Sequence, residues 1–143
     1  MSARGIESTM KTAVAVVLAI FVSYALSAEE TYPTTWDNVN LRDVFTNDRL
    51  VNQYITCLLE DNAKCSPDAA TLKKYLPEAI QSGCAKCTDK QREGAHRAIK
   101  CLVKTRPESW ELLVKKYDKD GTYLKEHEEE LEKIKNDSSE ACE

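Results

Sequence analysis

Cys57-Leu58-Leu59-Glu60-Asp61-Asn62-Ala63-Lys64-Cys65, followed by Cys84-Ala85-Lys86-Cys87, is the most informative part of this 143-residue chain. A straight helix would hold Cys57 and Cys65 about 12 Å apart along its axis, beyond the roughly 7 Å Cα limit for a disulfide. If they bond, the chain must turn at Asp61-Asn62, and the bond would fasten the end of one helix to the start of the next. Cys84 and Cys87 lie between a helix stop at Gly83 and a helix cap at Thr88, where a tight turn can bring them together. Each such small loop would remove roughly 2–3 kcal/mol of unfolded-state entropy. Six cysteines allow fifteen complete pairings, so spacing alone leaves the connectivity open. Cys101 falls mid-helix beside an apolar stripe, as a small buried hydrophobe would. Cys142 sits in a polar tail and is compatible with a free thiol, a bond to Cys101 or a link between two chains.

Upstream, Thr12 to Ala28 is apolar and uncharged, with Lys11 before it, Glu29-Glu30 after it and the small residues Ala25, Ser27 and Ala28 at its end. This is the pattern of a secretory signal peptide, too short for the roughly 20 residues of a membrane span. Residues 1–9 read as an extension from an upstream start codon, since Met10-Lys11 makes the more ordinary leader start. Secretion favours structural disulfides over metal thiolates. Without 1–28 the net charge moves from −4 to about −5. An acidic chain offers no basic face for nucleic acid and little attraction to anionic membranes. The remaining length suits one domain, read as 29–124 with a polar, acidic tail at 125–143.

Helical periodicity runs through the rest. Glu29 to Asn40 reads as an extended arm and Leu41 to Phe45 as a short helical turn. Thr46 or Asn47 caps a helix with Leu50, Val51, Tyr54 and Leu58 on one face. Ser66-Pro67 opens a helix with Leu72, Leu76, Ala79 and Ile80 inward, bent at Pro77 and ended by Gly83. Thr88-x-x-Gln91 is a capping box opening a helix with Ala95, Ile99, Leu102 and Val103 inward, and Thr105-x-x-Glu108 reads as a second box before Trp110, Leu113, Val114 and Tyr117. Asp118-Lys119-Asp120-Gly121 is a turn. The tail, with Leu131 and Ile134 its spaced apolar residues, reads as a frayed, solvated helix. No strand-like alternation or repeat occurs, so the fold class is all-α, with five or six short helices. Tyr54, Trp110, Tyr117 and Tyr123 end these stripes. Aromatics with polar tips suit a cavity wall as well as a filled core, and periodicity does not separate the two.

No catalytic or metal constellation emerges. Cys57-x7-Cys65 is loose for a zinc tetrathiolate, and Cys84-x2-Cys87 lacks the βαβ context of a thiol oxidoreductase. Thr88 stands where c-type haem attachment needs histidine. A calcium loop around Asp118 and Asp120 would need an acidic residue at Lys116 and a glutamate at His127. His96 shares its helix with Arg92, Arg97 and Lys100, the serines have no nucleophile elbow, and no cofactor or enzymatic activity is expected. Asn136-Asp137-Ser138 matches a glycosylation sequon.

The chain resembles the insect chemosensory proteins from about Tyr32 to Tyr123. Its specific blocks are Trp36-Asp37-Asn38-Val39, Asn47-Asp48-Arg49-Leu50, Tyr54-Ile55-Thr56-Cys57-Leu58-Leu59, Leu72-Lys73 with Leu76-Pro77-Glu78-Ala79, Cys84 to Gln91, Lys116-Tyr117-Asp118 and Gly121-Thr122-Tyr123. The resemblance implies about six helices around an apolar channel, disulfides Cys57–Cys65 and Cys84–Cys87, and a soluble extracellular carrier. The expected ligands are fatty acids, long-chain alcohols and esters, or odorant-like molecules. By matching positions it places Trp36, Tyr54, Trp110 and Tyr123 on the cavity wall, with Tyr117 supporting. The chain departs from the family in Trp36, commonly Tyr, in Ala63-Lys64 before the second cysteine, and in Cys101 and Cys142. Those two cysteines leave room for a disulfide-linked dimer beside the expected monomer. Two rival readings are a secreted factor acting through protein contacts in development, immunity or regeneration, and a thiol oxidoreductase.

Overall fold

Side chains that end one helix and start the next set the architecture of the computed structural model, which describes residues 30–140 and Cys142. Glu30 apart, these belong to the unit Thr31–Glu143; the expected leader lies outside the described residues. A 3₁₀ turn, Thr34–Trp36, precedes seven α-helices: α1 Leu41–Thr46, α2 Asp48–Leu59, α3 Pro67–Gln81, α4 Asp89–Thr105, α5 Pro107–Tyr117, α6 Thr122–Glu126 and α7 Glu128–Asn136. No strand occurs among the described residues.

Asn40 accepts from the Arg42 backbone N–H to cap α1, and Asn47 does the same for α2 from Leu50. Ser66 caps α3 with Pro67 in its first turn. The Thr88 capping box is complete, its hydroxyl accepting from Gln91 N–H while the Gln91 amide oxygen accepts from Thr88 N–H. Each cap satisfies donors that the first helical turn leaves without a partner. The second expected box does not form. Thr105 belongs to α4 and donates back to the Cys101 carbonyl, so α5 starts at Pro107 after Arg106 without a side-chain cap. Proline's fixed φ, rather than a threonine, starts that helix. The arm also contains the Thr34–Trp36 turn instead of being extended throughout.

α2 packs on α1, α3 and α5, while α4 packs on α1, α5 and α7. Lys116 reaches back from α5 to donate to the Leu59 carbonyl and to Asp61, and Tyr117 donates to the Leu58 carbonyl at 2.7 Å. Acceptors left open at the C-terminus of α2 are thereby filled by α5. Gly83 and Cys84 both take left-handed backbone angles, φ 60° and 64°, turning the chain sharply after α3. Glycine meets no steric penalty there.

Disulfides join Cys57–Cys65 and Cys84–Cys87, with Cα atoms 5.2 and 5.1 Å apart. A third joins Cys101 to Cys142 across 41 positions. Neither cysteine is therefore free or left to link two chains, which corrects that part of the sequence reading.

The tail reading needs the same correction. α6 runs through position 124, and α7 docks on α4 with Leu131 and Ile134 buried against Val103. Ile99, Trp110 and Leu124 complete that cluster. Two apolar residues three positions apart face one side of a helix, which is enough when a partner groove exists. Polar clamps reinforce the dock. Lys100 pairs with Asp137 at 2.9 Å, and Lys104 donates to the Asp137 and Ser139 carbonyls. Glu130 accepts from or pairs with His96 and His127, at 2.9 and 3.1 Å.

Candidate functional site

The inward faces of α1 to α5 do not meet in a solid core. Val51 and Cys57 are fully buried, but Leu72, Leu76 and Leu102 are only half-buried because they border a cavity of about 270 Å³. Aliphatic side chains dominate the wall: Val44 from α1, Ile55 and Leu58 from α2, Leu76 from α3, Leu102 from α4 and Leu113 from α5, with Phe45 of α1 beside them. Gly94 and Ala98 leave room on α4. The volume lies near the lower end of small-molecule pockets, about 300–1,000 Å³.

One end of the cavity is aromatic. Tyr32 stacks at 5.1 Å on Tyr75, and Trp36 meets the same ring edge-on at 5.8 Å. All three line the cavity. The capping box of α4 builds this end. Thr88 and Gln91 both donate to the Asp37 carboxylate, and Gln91 also donates to the Pro33 carbonyl at 3.0 Å. Tyr32 N–H donates to the Lys86 carbonyl at 2.9 Å. Thus the residues that start α4 also hold the arm carrying Tyr32 and Trp36 against the bundle, and the Cys84–Cys87 turn supplies the other anchor.

Of the aromatic residues singled out from the sequence, Trp36 and Tyr54 line this cavity. Burial, then the nearby Asp68, raises the Tyr54 phenol pKa, partly offset by a hydrogen bond from Ser66. Trp110, Tyr117 and Tyr123 are not on the wall. Trp110 packs on Val103, Leu131 and Ile134, because α7 occupies the face of α5 that a solvated tail would have left bare. Tyr117 is turned to the Leu58 carbonyl, and burial raises its pKa. Tyr123 stacks on His127 at 4.3 Å; burial, with Glu130 and Asp118 behind it, pushes its pKa up to about 12. Asp118 accepts from the Tyr123 and Leu124 backbone N–H groups and thereby starts α6. Asn136 is exposed at the end of α7.

The sequence reading missed Tyr32, Tyr75 and Phe45. Tyr75 sits between Leu72 and Ala79 on the helical repeat of α3, a signal that was available. Nothing local marks Tyr32, since the arm's position depends on Thr88 and Gln91 more than 50 residues away.

Among the described residues, no group of three or more His, Cys, Asp or Glu side chains is placed to hold a metal ion. The fold and site together define a small all-helical protein, stapled by disulfides and hollowed by an aliphatic cavity with an aromatic end. Residues 32–125 match the insect pheromone-binding family, A10/OS-D, and the chain belongs to that family.

The chain is 39% identical to ejaculatory bulb-specific protein 3 of Drosophila melanogaster over 118 residues, covering 82% of this chain and 91% of that one. It is 46% identical over 101 residues to the putative odorant-binding protein A10 of the same fly, covering 71% and 64%. The fold is similar to a chemosensory protein solved in complex with bromo-dodecanol. There the TM-score is 0.66 at 40% identity, with 70% of this chain and 99% of that one aligned.

Proposed function

We propose that the protein is a secreted, non-catalytic carrier that holds one small hydrophobic ligand in the cavity between α1 and α5. The mostly aliphatic wall of that cavity carries this reading, since apolar surface facing an unfilled space gains most from an alkyl chain. The family relation supports it, as does the relative solved with bromo-dodecanol. Fatty acids, long-chain alcohols, esters and odorant-like molecules are the ligand set. Burying methylenes contributes about 0.8 kcal/mol each, so seven to ten of them reach micromolar affinity after ordering costs. Trp36 and Tyr54 form part of the wall. The leader pattern at 12–28 supports export, and the internal Cys101–Cys142 bond supports a monomer by consuming both extra thiols.

The test is a titration of the refolded, delipidated mature protein with an environment-sensitive naphthylamine probe, followed by competition with C12 to C18 acids, alcohols and esters. Saturable micromolar uptake displaced by these ligands is expected. A folded protein without saturable uptake overturns the carrier and points to action through its surface.

A further inference from the structure

Two polar atoms at the aromatic end are buried and have no hydrogen-bond partner among the described residues: the Tyr32 hydroxyl and the Trp36 indole Nε1. Tyr32 is only 4% exposed. Both residues line the cavity and both pack on the ring of Tyr75. Buried polar groups in folded proteins are nearly always paired, and an unpaired one costs as much as a lost hydrogen bond. Two such groups in one aromatic cluster, beside a cavity whose wall is mostly hydrocarbon, call for a common partner. The hydroxyl of Tyr54, elsewhere on the wall, already has Ser66.

We infer that Tyr32 Oη and Trp36 Nε1 bind the polar head of the ligand, and that this head is a neutral oxygen acceptor, an alcohol or an ester carbonyl. This rests on the carrier reading and adds the ligand's orientation and chemical class. An indole N–H only donates, so the head must accept, while a phenol donates or accepts and suits either a hydroxyl or a carbonyl. Both donors are neutral and lie among three rings; the cation nearest those rings, Lys74 over Tyr75 at 5.0 Å, is exposed and off the cavity lining, so a carboxylate there would be buried without a paired counter-charge, at a cost far above that of a neutral oxygen. The cations on the cavity lining, Lys90 and Arg97, are exposed to solvent instead. The alkyl tail then runs from Tyr75 toward Leu58 and Leu113. Trp36 thus bears on specificity, because its donor-only nitrogen excludes heads that can only donate.

The experiment is probe competition with a chain-matched set, dodecane, 1-dodecanol, methyl dodecanoate and dodecanoate, on wild type and on the Tyr32→Phe and Trp36→Phe variants. Wild type is expected to bind the alcohol and ester at least about fivefold more tightly than dodecane, the worth of one net hydrogen bond. Each variant should lose about fivefold for alcohol and ester and nothing for dodecane. The ligand-free melting temperature of Tyr32→Phe should stay equal or rise, because no bond is lost; a fall would assign the hydroxyl a structural role and overturn the inference. Equal wild-type affinity for dodecane and dodecanol would leave a carrier with no head-group site. Tightest binding by dodecanoate, unchanged in both variants, would move the head to the cationic rim. Failure of the probe to bind wild type would instead sink the carrier itself.

Discussion

The two tryptophans of this chain sit in opposite kinds of interior. Trp36 stands on a short 3₁₀ turn at the edge of a hollow, its indole nitrogen buried with no partner among the described residues. Trp110, in the first turn of α5, packs against Val103 of α4 and Leu131 and Ile134 of α7. The difference follows from what each neighbouring segment brings. The arm around Trp36 is held by hydrogen bonds from Gln91 and Thr88 and by one from Tyr32 N–H to the Lys86 carbonyl, which fix its place without filling space behind it. The segment facing Trp110 brings Leu131 and Ile134 and is closed by a disulfide and a lysine clamp. One half of the molecule is built to be stable and the other to take something in.

That contrast is most open to attack at the third disulfide. Replacing Cys101 by Ala and Cys142 by Ser removes a 41-residue link, worth up to about 4 kcal/mol in the chain-entropy model. Urea denaturation should show a loss of a few kcal/mol, with probe affinity unchanged as long as the protein is folded. Trp110→Ala should cost about 3 kcal/mol by opening a void beside Val103, again with little change in ligand affinity in the folded protein. A large affinity loss without a stability loss would return Trp110 to the cavity wall. Trp36→Ala should behave in reverse: about tenfold weaker uptake of long-chain alcohols, with a small change in midpoint.

Smaller effects come from pH, and they too should divide by region. Hydrogen bonds from Ser139 and Lys100 hold the Asp137 carboxyl well below its ordinary value of 3.8. A depressed carboxylate contributes stability that is full above the unfolded value and is lost as pH falls through the folded one. Acid below about pH 4 should therefore loosen α7 and change Trp110 fluorescence before it changes Trp36. Tyr123 has the opposite sign. Its pKa of about 12 lies above the ordinary 10.0, so its contribution is full below pH 10 and is lost as pH rises toward 12. Phenolate absorbance should show a late ionisation step near pH 12. Replacement of Tyr123 by Phe should remove that late step.

Much of this arrangement was written locally. Asn47, Ser66-Pro67 and the Thr88-x-x-Gln91 box mark helix starts because capping is a contact of three residues' range. The Cys84 turn was legible for the same reason, through Gly83. What the sequence could not carry is whatever depends on partners far along the chain. Periodicity names the inward face of α3 but not whether Leu72 and Leu76 meet side chains or a space. The resemblance puts Trp110 on the wall by position, and the tail reads as solvated because Leu131 and Ile134 are sparse, although their i, i+3 spacing and the pair Cys101 and Cys142 carry the signal for docking. Tyr32 was invisible because its position rests on hydrogen bonds from the α4 capping box and the disulfide turn.

The most direct measurement uses the fact that the chain has just two tryptophans. In a ¹⁵N–¹H correlation spectrum of the labelled mature protein, each indole N–H gives one peak, assigned with Trp36→Phe and Trp110→Phe. On titration with 1-dodecanol the Trp36 peak should move saturably, in step with probe displacement, while the Trp110 peak stays in place. A saturable shift of Trp110 with Trp36 unmoved would contradict the account, putting the ligand between α5 and α7 and the filled interior at the aromatic end.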